Sequence, residues 1–186
     1  SEFSTLLTGR NLTYNLFPFS FSEYVNYHGI VYDKEKISAD IKERAKIQRT
    51  LSDYLNNGGF PATAKEYRID ILQQYFTDIL YRDIVKRYKI RDVRLLEELA
   101  RYMITDTGNL FSYNKLKNTF KTGIDTIKEY INYIITANLC FEVPFFSFSL
   151  KESMNRNRKI YAIDTGLRNS VSFTFSEDRG RLAENI

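Results

Sequence analysis

Between Asp92 and Ile163 the chain reads as three short helices followed by two strands with little slack between them, and that order restricts the fold more than any other feature. Asp92 can cap a helix that carries Leu95, Leu96, Leu99 and Met103 inward and ends at Gly108. Ser112 opens a second helix with Leu116 and Phe120, closed by Gly123. A third, over 124–138, turns Ile124, Ile127, Ile131, Ile134 and Ile135 to one side. Phe141, Val143 and Phe145 then alternate in one phase and Phe146, Phe148 and Leu150 in the other, a slip beside Pro144 that a β-bulge accounts for. The polar stretch 151–158 makes a hairpin tip, and 160–163 returns as the partner strand.

Upstream the pattern is also mostly helical. Residues 11–16 alternate, with Leu12, Tyr14 and Leu16 on one side of a strand that Phe17-Pro-Phe19 ends. Ser20 and Glu23 form a capping box, Phe19 can pack on Tyr24, and a helix runs from Phe21 towards Gly29. A helix over 38–56 places Ile37, Ile41, Leu51 and Leu55 on its apolar side, and Gly58-Gly59 caps it. The next, over 63–88, repeats Ile69, Leu72, Phe76, Ile79 and Leu80, with Asp83 at the stripe's edge in reach of Arg87. The fold class expected is mainly α with a small β component.

With 186 residues, 43% of them hydrophobic, the chain can bury a core as one domain or two small ones. Cys140 is the single cysteine and His28 the single histidine, which excludes an internal disulfide and cysteine-based zinc sites. Cys140 lies between Leu139 and Phe141 and reads as a buried, inert thiol; His28 reads as a surface or capping residue. The apolar stretch 130–150 is broken by Asn132, Asn138, Glu142 and Pro144, so a helix running into a strand fits it better than a membrane span. With no signal or lipidation motif, the expected location is cytoplasmic, with no membrane partner.

Four stretches carry a family resemblance. They are Leu7-Thr-Gly-Arg10 with Leu16-Phe-Pro-Phe-Ser-Phe-Ser-Glu-Tyr24; Gly58-Gly-Phe-Pro61; Tyr81-Arg-Asp-Ile-Val85; and Lys159-Ile-Tyr-Ala-Ile-Asp-Thr-Gly-Leu-Arg-Asn169 followed by Gly180-Arg-Leu-Ala-Glu-Asn185. In this order they resemble the C-terminal half of the AAA+ ATPases of archaea and bacteria that carry a C-terminal domain of unknown function. The resemblance implies that residues 1–30 end the AAA+ core and 31–91 form a helical lid. It makes 92–168 a winged helix with a β-hairpin wing, an assignment that the helix–helix–helix–strand–strand order also suggests, and 169–186 the start of a nuclease-like domain. It implies ATP and Mg²⁺ for the parent protein. The sequence itself holds no Gly-x-x-x-x-Gly-Lys-[Ser/Thr] loop and no strand ending in a paired acid, so it reads as a fragment with no cofactor of its own and no ATPase activity alone.

Arg10 is the nucleotide-contact candidate, although an arginine opening a strand is the plainer reading. In relatives that run on, Glu184 would join later carboxylates around Mg²⁺; in this chain it reads as a charged residue near a terminus. Asp164-Thr-Gly is also the aspartic-protease triplet, but a second such Asp and a mainly β fold are missing, so Asp164 reads as a helix cap.

Charge supplies the argument for nucleic acid. Residues 112–160 hold Lys115, Lys117, Lys121, Lys128, Lys151, Arg156, Arg158 and Lys159 against four carboxylates, a net +4 that equals the whole chain's formal charge. These eight are the DNA-binding candidates. Asp125 and Glu129, on the outer side of the third helix, oppose base reading. The expected function is to couple nucleotide state to a double-stranded DNA or protein partner. The rival is a protein-docking or self-association module that binds no nucleic acid.

Overall fold

A computed structural model describes residues 14–33, 40–172 and 179–186 of the protein. Helix α1 (Phe21–Tyr27) begins at the expected capping box: the Ser20 N–H donates to Glu23 Oε2 at 2.8 Å and the Glu23 N–H to Ser20 Oγ at 3.3 Å. Helix α2 (Ile41–Asn57) starts at Asp40, whose carboxylate accepts the Lys42 N–H. Its buried side is Thr50, Tyr54 and Leu55, while Ile41 is 80% exposed. The inward stripe expected from Ile41 onward is thus confined to the second half of the helix. In the first half Ala45 and Ile47 are only half-buried, and Ile37 of the expected stripe lies outside the described residues.

The single helix expected over 63–88 is two. Pro61–Ala64 forms the short α3, and residues 65–68 break the run. Helix α4 then begins as Ile69–Asp78, widens into a π-helical stretch at Ile79–Val85 and closes with the turn Lys86–Tyr88. Leu72, Phe76, Leu80 and Ile84 are fully buried, whereas Ile69 in the first turn is exposed. The widening shows in the backbone: the Lys86 N–H donates to the Tyr81 carbonyl, five residues back.

Helix α5 (Val93–Thr105) is capped by Asp92 at 3.0 Å and buries Leu95, Leu96, Leu99 and Met103 as expected. A short strand that the sequence did not announce, β1 (Leu110–Phe111), follows. Helix α6 (Tyr113–Phe120) is capped by Ser112 and ends on Lys121 in the left-handed conformation; Gly123 is instead the N-cap of α7 (Ile124–Thr136). Ile127, Tyr130, Ile131 and Ile134 line the buried side of α7.

Strands β2 (Cys140–Val143) and β3 (Arg158–Ala162) complete an antiparallel sheet of order β1-β3-β2, with Phe141 opposite Tyr161 and Phe111 opposite Arg158. The expected bulge at Pro144 is absent: β2 stops at Val143, and Phe145, Phe146 and Phe148 lie exposed beyond it. The polar tip is also more ordered than a turn, because Ser149 caps a short helix, α8 (Leu150–Asn155). Helices α9 (Thr165–Val171) and α10 (Arg179–Asn185) follow the sheet. Mainly helical with a small three-stranded sheet is therefore the observed class.

One apolar core runs from Leu72 in α4 through α5, α7 and β3 to Leu167 and Val171 in α9, so no core boundary falls between residues 91 and 92. A satellite of Tyr24, Tyr54 and Ala64 gathers Phe19 and Phe21, with the Phe19 ring 5.2 Å from Tyr27. The expected strand over 11–16 lies partly outside the described residues, and residues 14–16 pair with no strand among them. Among the described residues, no helix is long and apolar enough to cross a membrane.

Candidate functional site

Three of the four motif-bearing stretches meet at Asp164. The chain leaves β3, turns, and starts α9 with Asp164 as its cap, the Leu167 N–H donating to Oδ1 at 2.7 Å. The other oxygen, Oδ2, accepts the Gly59 N–H at 2.6 Å across 105 residues of sequence. Gly59 in turn accepts the Phe19 N–H at 2.7 Å, and the Tyr54 hydroxyl donates to the Phe19 carbonyl at 2.6 Å. Helix α10 closes on the same region: Asn185 exchanges two 2.9 Å hydrogen bonds with the backbone of Ala162.

The glycines here are dictated by space. A Cβ on Gly58 would sit 2.2 Å from Asp164 Oδ1, one on Gly59 2.2 Å from the Phe19 carbonyl, and one on Gly166 2.1 Å from the Asn57 carbonyl. Asp164 is 4% exposed, and burial pushes its carboxyl up to about 6 against the lowering pull of the N–H groups of Gly59, Leu167 and Gly166. Since both oxygens already accept backbone hydrogen bonds, the arrangement is a clasp that fixes three segments relative to one another. The expectation of a helix cap holds; the tie to Gly59 had no signal in spacing. A cleft of about 420 Å³ opens beside the clasp, between residues 15–20 and the end of α10.

The eight DNA-binding candidates fall into two sets. Lys115 and Lys117 on α6, Lys121 at its C-cap, Lys128 on α7 and Lys151 on α8 are exposed, and no salt bridge holds them among the described residues. The other three are engaged. Arg156 pairs with Glu152 at 2.8 Å, Arg158 with Glu142, and Lys159 with Glu184. Arg158 also lies over the Tyr113 ring and Arg156 over that of Phe145. Two of these partners, Glu142 and Glu152, are among the four carboxylates of the segment's charge count, but Glu184 lies outside it, and the count could not say which cations the carboxylates hold.

Glu184 is accordingly more than a charged residue near a terminus. It accepts hydrogen bonds from Lys159 and from the Tyr161 hydroxyl, and those donors hold its carboxyl below the usual range. It thereby ties α10 to β3. Arg10 lies outside the described residues. Cys140 is buried, its thiol pushed up to about 12 by that burial, and His28 is the exposed C-cap of α1 beside the rings of Tyr24 and Tyr27. Among the described residues no group of three or more His, Cys, Asp or Glu is placed to hold a metal ion.

The fourth motif, Tyr81–Val85, lies in the π-helical part of α4 and lines a second cleft, of about 650 Å³, with Arg82, Asp83, Lys86, Arg87 and Lys89. Asp83 and Arg87 both face it, and the expected ion pair between them does not form among the described residues. Charge summed over long segments concealed this cluster. Residues 82–91 hold five cations and one carboxylate, a net +4 within ten positions.

Residues 48–178 match the model of the family described as Domain of unknown function (DUF8612), and the chain belongs to that family. Along its whole length it is 31% identical to an uncharacterized protein of Methanocaldococcus jannaschii, covering 42% of that relative. It is likewise 26% identical to an uncharacterized protein of Haemophilus influenzae, covering 46% of it. The chain thus spans less than half the length of these curated relatives. No solved structure matches it.

Proposed function

We propose that this DUF8612 member is the lid and winged-helix arm of an AAA+ ATPase, coupling the nucleotide state of an adjoining core to duplex DNA held by α6 and α7. The observation that carries the reading is the element order α5-β1-α6-α7-β2-α8-β3 with sheet order β1-β3-β2; on this reading α6 and α7 are the helix-turn-helix, and their lysines form no salt bridge among the described residues. Lys115, Lys117, Lys121 and Lys128, all exposed, would contact backbone phosphates, with Lys115 and Lys117 on opposite flanks of Leu116. Asp125 and Glu129, exposed on α7, would keep sequence preference low.

The clasp supports the coupling part of the reading. Asp164 bonds the segment after α2 to the start of α9, so a displacement of the lid helices would be passed to the sheet as a rigid movement. The sequence holds no Gly-x-x-x-x-Gly-Lys-[Ser/Thr] loop to cradle a triphosphate, so no hydrolytic step is assigned to this chain.

Fluorescence anisotropy on a labelled duplex tests the reading. Binding is expected in the non-specific range of about 10⁻⁴–10⁻⁶ M, weakening as salt rises, and Lys115→Glu/Lys117→Glu/Lys121→Glu should remove most of it. Equal binding by both proteins, or none at low salt, would leave the rival reading. That rival is a protein-docking surface, favoured by the exposed rings of Phe145, Phe146 and Phe148.

A further inference from the structure

The cleft beside the π-helical stretch of α4 has the chemistry of a strand-binding groove. Arg82, Lys86, Arg87 and Lys89 line it with Asp83 as the one carboxylate, and Arg91 lies just beyond. No salt bridge holds any of these five cations among the described residues, in contrast to the three cations of the wing. An adjoining pocket of about 490 Å³ shares Arg82 and Asp83, adds a second carboxylate, Asp78, and extends the groove to Phe60 and Tyr75, whose rings lie 5.3 Å apart and are each partly exposed. At the basic end the Tyr88 ring stacks on Tyr133 at 3.8 Å, with the Arg87 guanidinium 5.5 Å from the Tyr88 centroid.

The backbone explains why the charges gather here. In the widened helix Leu80 and Ile84 both point into the core, which leaves Arg82, Asp83 and Lys86 on the open side. Lys89 closes the helix in the left-handed conformation at φ 51°, and its side chain stays with the others in the cleft. Departures from α-helical geometry cost stability and are frequent at functional sites. Here the departure coincides with the Tyr81–Val85 motif, for which the coupling function above has no use.

We propose that this groove binds single-stranded nucleic acid, with phosphates on Arg82, Lys86, Arg87 and Lys89 and bases against Phe60 and Tyr75. Cations held by no salt bridge among the described residues, beside partly exposed aromatic rings, are the combination that holds a single strand without reading its sequence. Tyr75 and Lys86 are eleven positions apart on α4, roughly 16 Å along a helix, so the aromatic and basic ends of the groove are separated by more than one nucleotide. A cleft of this volume admits a phosphate and its sugar but not the body of a duplex. The proposal does not rest on the helix-turn-helix reading, because the lining residues are different.

The test is fluorescence anisotropy on the whole chain with a fluorescein-labelled twelve-residue oligothymidylate, with an abasic strand of the same length and with a duplex. The triple variant Arg82→Glu/Lys86→Glu/Lys89→Glu should weaken oligothymidylate binding at least about tenfold and lower the salt slope by roughly 2, at ~0.7 per lost single-strand contact. The milder Arg82→Gln/Lys86→Gln/Lys89→Gln should act in the same direction with an unchanged melting temperature. Lys115→Glu/Lys117→Glu/Lys121→Glu should change oligothymidylate binding less than about twofold. The proposal is overturned if the groove triples bind like wild type, if the α6 triple alone abolishes strand binding, or if the abasic strand binds as tightly as oligothymidylate. Loss of duplex binding alone in the α6 triple would leave it intact and support the separate helix-turn-helix reading.

Discussion

The β2–β3 region expected as the wing and the π-helical side of the molecule are both rich in arginine and lysine, yet the fold surrounds their cations differently. On the wing side Arg156, Arg158 and Lys159 each find a carboxylate within the chain, and two of the three partners, Glu142 and Glu184, come from other elements. On the π-helical side Arg82, Lys86, Lys89 and Arg91 form no salt bridge among the described residues. The comparison teaches that a count of basic residues measures composition, whereas capacity to bind an anion depends on which charges the fold leaves unneutralised. Substitutions on the wing side should therefore cost stability, and those on the π-helical side should cost binding.

The largest effect is expected at Asp164, which sharpens the comparison because a buried carboxylate there has backbone N–H groups as its partners in place of a cation. Its carboxyl is raised to about 6 in the folded chain, so its contribution favours folding below about pH 4 and is lost as pH rises through about 6. Relative to Asp164→Asn, wild-type stability should fall by about 2.4 kcal/mol from about pH 4 to about pH 7. Urea unfolding across that range would show it, and a flat or rising difference would contradict the burial assigned to the clasp.

Arg158→Glu comes next. Both members of the Arg158–Glu142 pair are about three-quarters buried and share the Tyr113 hydroxyl, so placing two carboxylates together should cost about 2 kcal/mol in urea unfolding. A neutral result would mean that the wing's charges are as free as those of the cleft. Lys159→Gln removes a more exposed pair with Glu184 and should cost roughly 0.5 kcal/mol, chiefly by loosening α10, with faster amide exchange there as the readout. Smallest of all, Lys86→Glu should alter stability by less than about 0.5 kcal/mol, because its side chain is exposed and unpaired. A large loss there would break the comparison from the other side.

Local signals in the sequence were the dependable ones. The caps at Ser20, Asp92, Ser112 and Asp164 all form, because a cap is decided within three or four residues. Three of the five isoleucines expected inward on α7, Ile127, Ile131 and Ile134, are buried, while Ile124 and Ile135 at the edges of the stripe are half-buried. What failed depended on contacts at a distance. Ile41 keeps helical spacing but has nothing to pack against, and the phenylalanines after Pro144 alternate like a strand without a partner to pair with. The two-residue β1 is too short to carry a pattern, and it forms because β3 offers an edge. The pairing of Arg158 with Glu142 and of Lys159 with Glu184 depends on sheet register and on the return of α10, neither of which a charge count registers. The π-helical widening had no signal beyond the Tyr81–Val85 motif.

The central claim is that charges paired within the fold do not add to anion binding, and the salt dependence of duplex affinity tests it most directly. The slope of log K against log salt should be compared for wild type, for Arg156→Gln/Lys159→Gln and for Lys115→Gln/Lys117→Gln/Lys121→Gln. The account predicts a wing variant that matches wild type and an α6 variant whose slope falls by roughly 2.7, at ~0.9 per lost contact. A slope that falls in the wing variant and holds in the α6 variant would contradict it.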